Sequence, residues 1–126
     1  MSWVHDVLAD YGRSLGIDGL AFNEAGVVSL RFELLGEVFI EQTEGGVLVY
    51  VVREVDRLSG EICAAALAWC HWQHNHPFAV NAAQRGEHHL VYSVHLTEQE
   101  FSVPTMEQLL QLLGQLHDQA LEGAPA

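Results

Sequence analysis

The chain predicts an α+β fold in the order helix, three strands, helix, two strands, helix. Three observations carry this. Apolar residues recur at helical spacing in three stretches, they alternate with period two in the segments between, and every strand-like segment is joined to the next by a short turn or by one helix, which favours a twisted antiparallel sheet of about five strands. The same chain shows no nucleophile and base pair, no glycine-rich phosphate loop and no complete metal motif, so it is expected to hold another molecule rather than to transform one.

The first helix is expected over residues 2–15, with Trp3, Val4, Val7, Leu8, Tyr11 and Leu15 in one stripe, Ser2 as cap and Gly16 as stop. A half-buried strand follows over 28–34, setting Val28, Leu30, Phe32 and Leu34 against Ser29, Arg31 and Glu33. The second strand, 37–43, points Val38 and Ile40 one way and Phe39 the other, together with Glu37, Glu41 and Thr43. Thr43-Glu44-Gly45-Gly46 turns the chain. The third strand, 47–53, is apolar on both faces: Val47, Val49 and Val51 oppose Leu48, Tyr50 and Val52. One of those faces is expected to cover something other than this chain's own helices.

Helical spacing returns over 57–73. Leu58, Ile62, Ala65, Ala66, Trp69 and Trp72 form one stripe, and Cys63, Leu67 and Cys70 a second on a neighbouring face. A helix apolar on two faces is expected to be sandwiched, here against a second subunit. Pro77 stops simple continuation, Phe78–Ala82 is a short strand, Arg85-Gly86-Glu87 a turn, and 88–96 a strand with Leu90, Tyr92, Val94 and Leu96 on one face. The last helix begins near Ser102 and Pro104 and runs through Met106, Leu109, Leu110, Leu113, Leu116 and Leu121. The chain is expected to be a single domain, 1–126, with 123–126 a frayed tail, and it shows no internal repeat or dividing linker.

The formal charge is −12, from 17 Asp and Glu against five Arg and no Lys, so nucleic acid and anionic lipid surfaces would be repelled. No apolar run approaches the roughly 20 residues of a membrane span, so stable membrane insertion is not expected. The opening residues have neither the basic stretch nor the apolar core of a signal peptide, so a cytosolic location is expected. Cys63 and Cys70, seven positions apart on one helix, stand about 10 Å apart along its axis and cannot bridge.

Cys70, His71 and His74, with His76 nearby, are the sharpest chemical candidate, because a Cys and a His four apart on a helix can present two ligands to zinc. A closed site needs four, and His88, His89 or His95 would have to complete it. A polar, His-rich helix end is therefore preferred, with no metal and no cofactor. The competing assignment is a small α+β ligand-binding or hydrolytic domain using this His/Cys cluster at 70–76. No catalytic residue is assigned. Glu37 and Glu41 are expected to be a solvated strand face rather than an acid/base pair. Phe39, Leu48, Tyr50 and Val52 are the preferred site: an apolar surface for an extended peptide.

Three further stretches complete the picture: Met1-Ser2-Trp3-Val4 with Leu15-Gly16, Gly86-Glu87-His88-His89-Leu90-Val91, and Val103-Pro104 through Glu107-Gln108-Leu109-Leu110 to Ala120-Leu121. In these, and in its element order, the chain resembles the small acidic class I chaperones of bacterial type III secretion. The resemblance implies a non-enzymatic protein of the bacterial cytoplasm, with any peripheral role at the secretion apparatus. Its partner would be the N-terminal segment of a secreted gatekeeper or effector protein. It also implies a dimer, with a second small chaperone as partner subunit and a homodimer as fallback. Trp3, Phe39, Leu48, Tyr50 and Val52 are then the expected client contacts, and Cys63, Leu67, Cys70, Phe78 and Val80 the expected subunit contacts.

Overall fold

A computed structural model describes residues 3–70 and 77–123. Its elements are α1 (Trp3–Ser14), β1 (Val27–Phe32), β2 (Gly36–Thr43), β3 (Gly46–Glu54), α2 (Gly60–Trp69), β4 (Val80–Arg85), β5 (His89–Thr97) and α3 (Val103–Glu122). The five strands form one antiparallel sheet in the order β1-β2-β3-β5-β4. The expected order of helices and strands is the observed one.

The register sorts side chains by face. Val28, Leu30 and Phe32 of β1, Val38 and Ile40 of β2, Val47, Val49 and Val51 of β3, and Leu90, Tyr92, Val94 and Leu96 of β5 fall on one side. These residues join Val4, Val7, Leu8 and Tyr11 of α1 and Met106, Leu109, Leu113 and Leu116 of α3 in a single apolar core. α2 lies on the same side, since the Tyr92 hydroxyl donates to the Ala66 carbonyl at 3.0 Å. The opposite face carries Glu37, Phe39 and Glu41, then Leu48, Tyr50 and Val52, then Val91, Ser93 and His95. Among the described residues no helix covers it.

Local chemistry sets the ends. α1 closes at Gly16, whose φ of +80° suits a residue without Cβ; the Ile17 amide donates to the Gly12 carbonyl at 2.8 Å and the Gly16 amide to that of Arg13 at 3.0 Å. The Ser2 cap lies outside the described residues. β1 ends two residues sooner than expected, and Leu34 is 92% exposed rather than core, because the Arg53 guanidinium draws the Leu34 and Leu35 carbonyls into a turn while it pairs with Asp118 of α3 at 2.5 Å. Gly46 allows the tightest approach: a Cβ there would stand 2.0 Å from the Leu96 carbonyl oxygen.

α2 starts at Gly60, not at 57. The amides of Val55 and Leu58 donate to the carbonyls of His88 and Glu87, both at 2.7 Å, which holds residues 55–58 extended; Ser59 Oγ then accepts from the Ile62 amide at 3.1 Å and caps the helix. The expected extension to residue 73, with Trp72, falls outside the described residues beyond Cys70. β4 runs to Arg85 rather than stopping at Ala82, since its pairing with β5 continues through Arg85↔His89. Leu15 leaves the α1 stripe for solvent. α3 begins as expected, with Ser102 Oγ accepting from the Thr105 amide at 3.2 Å.

A histidine is fully enclosed in the core. His117 of α3 donates from Nε2 to the Val51 carbonyl at 2.9 Å, lies edge-on to the Tyr92 ring at 4.9 Å, and has no partner for Nδ1 among the described residues. Burial pushes its pKa down from 6.5 to about 4, against a smaller upward pull from the Val51 hydrogen bond. The unfolded chain therefore takes up a proton at His117 that the folded chain refuses. Stability from this group is complete above pH 6.5 and is lost as pH falls toward about 4, an effect on the order of 3 kcal/mol. Chemical denaturation from pH 7 to pH 4.5 should show this slope in the native chain and a much shallower one in His117→Gln.

Candidate client and subunit surfaces

On the open face of the sheet β2 and β3 pair Phe39 with Tyr50, so their side chains emerge as direct neighbours. The two rings stack at 5.0 Å with an interplanar angle of 14°. Tyr50 Oη donates to the Glu41 carboxylate at 3.4 Å, and desolvation, with the nearby Glu41 charge, raises the Tyr50 pKa. The Arg85 guanidinium of β4 lies over the Phe39 ring, 5.8 Å from its centroid. Phe39, Leu48 and Tyr50 are half-buried, and their remaining surface faces outward. Val52 does not: it is 5% exposed, flanked in its row by Glu37 and Val91, and offers little contact area.

Trp3 is 59% exposed but belongs to another place. It sits at the start of α1 on the helical side, beside Glu98 and Gln99, so the structure does not bring it together with the Phe39 and Tyr50 stack.

The second surface lies between α2 and β4, where Cys63, Ala66, Leu67, Ala82, Ala83, Gln84 and Leu90 line a mainly apolar groove of about 140 Å³. Leu67 is 62% exposed at its rim, and the Cys63 thiol points to the Gln84 amide oxygen at 3.7 Å. β4 is an edge strand, so its outer backbone groups are open to pairing with another chain. Cys70, Phe78 and Val80 do not line this groove; they are partly buried and pack against the core. The expected subunit contacts thus divide into Cys63 and Leu67 on the groove, and Cys70, Phe78 and Val80 packed against the core.

Chemistry at the cysteine is disfavoured. Burial pushes the Cys70 thiol up to about 11, opposite to what a nucleophile or metal thiolate needs. His71, His74 and His76 lie outside the described residues. The histidines invoked to complete a site are engaged separately: His88 with the Asp56 carbonyl at 2.6 Å, His95 with Thr43 Oγ1 at 2.9 Å, His89 near Glu54 at 3.8 Å. Among the described residues no three His, Cys, Asp or Glu side chains gather where a metal ion would fit. Nor is any described helix long and apolar enough to cross a membrane.

The model of the type III secretory system chaperone SycN family matches residues 3–121. The chain belongs to this family. In fold it is similar to a chain of the ExsC–ExsE complex, with a TM-score of 0.75 at 19% identity over 98% of this chain and 95% of that one. It is also similar to the Yersinia pestis type III secretion chaperone SycH, solved with a stable fragment of YscM2, with a TM-score of 0.70 at 16% identity over 96% and 99%. A chain of the heterodimeric ExoU–SpcU complex from the type III secretion system of Pseudomonas aeruginosa matches with a TM-score of 0.62 at 19% identity over 91% and 95%. No curated protein matches the chain.

Two contributors escaped the sequence. Arg85 was assigned to a turn, although alternation through Asn81, Ala83 and Arg85 would have carried the strand far enough to place it on the open face. Gln84, which lines the α2 groove, lies beyond the expected strand end at Ala82 and was hidden for the same reason. Since no three metal-ligating side chains gather among the described residues, treatment of the purified chaperone with EDTA should leave its thermal midpoint unchanged. Near-stoichiometric zinc in untagged protein, with destabilisation on chelation, would reverse that assignment.

Proposed function

We propose that this chaperone acts without enzymatic chemistry, as a single domain and one subunit of a dimer, in the bacterial cytoplasm. It holds an N-terminal segment of a secreted gatekeeper or effector protein in an extended, export-competent state. The carrying observation is the sheet face that bears Phe39, Leu48 and Tyr50 with no helix over it among the described residues, in a chain of a secretion chaperone family. The solved complexes of SycH with a fragment of YscM2, of ExsC with ExsE and of ExoU with SpcU, each holding a chain of similar fold, support the same use of the fold. Holding requires no nucleotide: a disordered segment gains sheet-like and apolar contacts and gives them up on export. The partner subunit is a second small chaperone, with a second copy of this chain as the fallback, docked on the α2 and β4 groove.

Replacing Phe39 and Tyr50 together by Ser should weaken binding of the co-purified secreted protein by about 30- to 1000-fold, since each apolar anchor contributes on the order of 1 to 2 kcal/mol when partly buried. Calorimetric titration measures this, and circular dichroism should show the variant still folded. If binding fails only together with folding, the client lies elsewhere.

Leu67→Asp places a charge in the subunit groove and should convert the dimer to monomer or aggregate in native mass spectrometry. A dimer of unaltered mass and stability would move the interface off α2.

A further inference from the structure

The open face is not only apolar. Along β2 the outward positions read Glu37, Phe39, Glu41, spaced about 7 Å apart as alternate residues of a strand, and Glu54 stands at the end of β3. By register, Arg31 of β1 and Arg85 of β4 stand on this face. Arg31 lies opposite Glu37 in the register, with no ion pair formed between them. Arg85 starts on the edge strand β4, and with β5 and β3 between β4 and β2 its guanidinium still ends over the Phe39 ring. A cation thus already sits on the aromatic stack, supplied by the protein's own most distant strand.

We propose that Arg85 is a built-in occupant of a cation subsite, and that the client segment taken by this face carries an arginine or lysine beside its apolar anchors and displaces Arg85 on binding. This rests on the client-docking role proposed above and names the chemistry of its ligand. Phe39 offers the π face, Glu37 and Glu41 supply opposite charge on either side, and Leu48 supplies apolar contact. A client strand with side chains at alternate positions matches this spacing when it reads basic, any, apolar, any, basic. The chain's net charge of −12, without a single lysine, draws such a segment in from a distance. Arg85 keeps the aromatic pair covered until then, which limits self-association of this apolar sheet face.

The test uses the chaperone with whatever partner subunit it co-purifies with, and two fluorescein-labelled synthetic nonapeptides. One carries Arg, Leu and Arg at alternate positions with Ser and Thr between; the other replaces both Arg by Gln. The Arg peptide should bind about threefold to fivefold more tightly than the Gln peptide, with an affinity that falls as salt rises. Arg85→Gln should tighten Arg-peptide binding by a similar factor, Arg85→Lys should restore the native value, and Phe39→Ser should abolish the preference for Arg. Equal binding of both peptides, sensitive to Phe39→Ser, would leave the docking face standing and overturn the cation subsite. Failure of both peptides to bind, or binding indifferent to Phe39, would overturn the face itself. Weakened or unchanged Arg-peptide binding by folded Arg85→Gln would overturn the role of Arg85 as a displaceable occupant.

Discussion

β3 is hydrogen-bonded along both edges, to β2 and to β5, so its nine residues cannot adjust their register without breaking two ladders. That constraint fixes which side chains meet the helices. Val47, Val49 and Val51 are fully enclosed, and the Val51 carbonyl also receives the His117 ring of α3, so the last helix is keyed to the middle of the sheet by a directed bond as well as by packing. Arg53, next on the same face, ties the β1–β2 turn to the same helix through Asp118. With three helices spent on one side of the sheet, the alternate residues of β3 are left to a surface that only side chains cover.

The economy of cations follows from the same geometry. Five arginines are the only permanent positive charges against 17 acidic residues. Arg53 braces a turn against α3, and Arg13 pairs with Asp10 one helical turn away. Arg85 is drawn onto an aromatic ring instead of a carboxylate. Because exposed ion pairs contribute little, the acidic excess adds less to stability than to keeping an apolar sheet face in solution.

The two cysteines show how burial separates residues that spacing treats alike. Cys63 and Cys70 share one face of α2, yet Cys63 opens onto the groove beside Gln84 whereas Cys70 packs on the core and its thiol is held protonated. Edge strand β4 determines this difference. Its Ala82, Ala83 and Gln84 line the groove with Cys63, Ala66 and Leu67 of α2, and its pairing with β5 runs through these positions.

Element order was legible in the sequence because hydrophobic periodicity is a local property: period two in β1, β2, β3 and β5, helical spacing in α1 and α3, and the Gly16 and Ser102 boundaries are written in residues a few positions apart. The apolar pair of faces on β3 was legible in the same way, and so was the position of Phe39 beside Glu37 and Glu41. Tertiary structure alone decided what depends on contacts far apart in the chain. The carbonyls of Glu87 and His88 delay the start of α2, Arg53 pulls Leu34 into solvent, Val52 is closed off by its row neighbours, Trp3 goes to the helical side, and Arg85 crosses the sheet to Phe39. Each is set by a partner 15 or more residues away or by the rank of a strand in the sheet, and no local pattern encodes either.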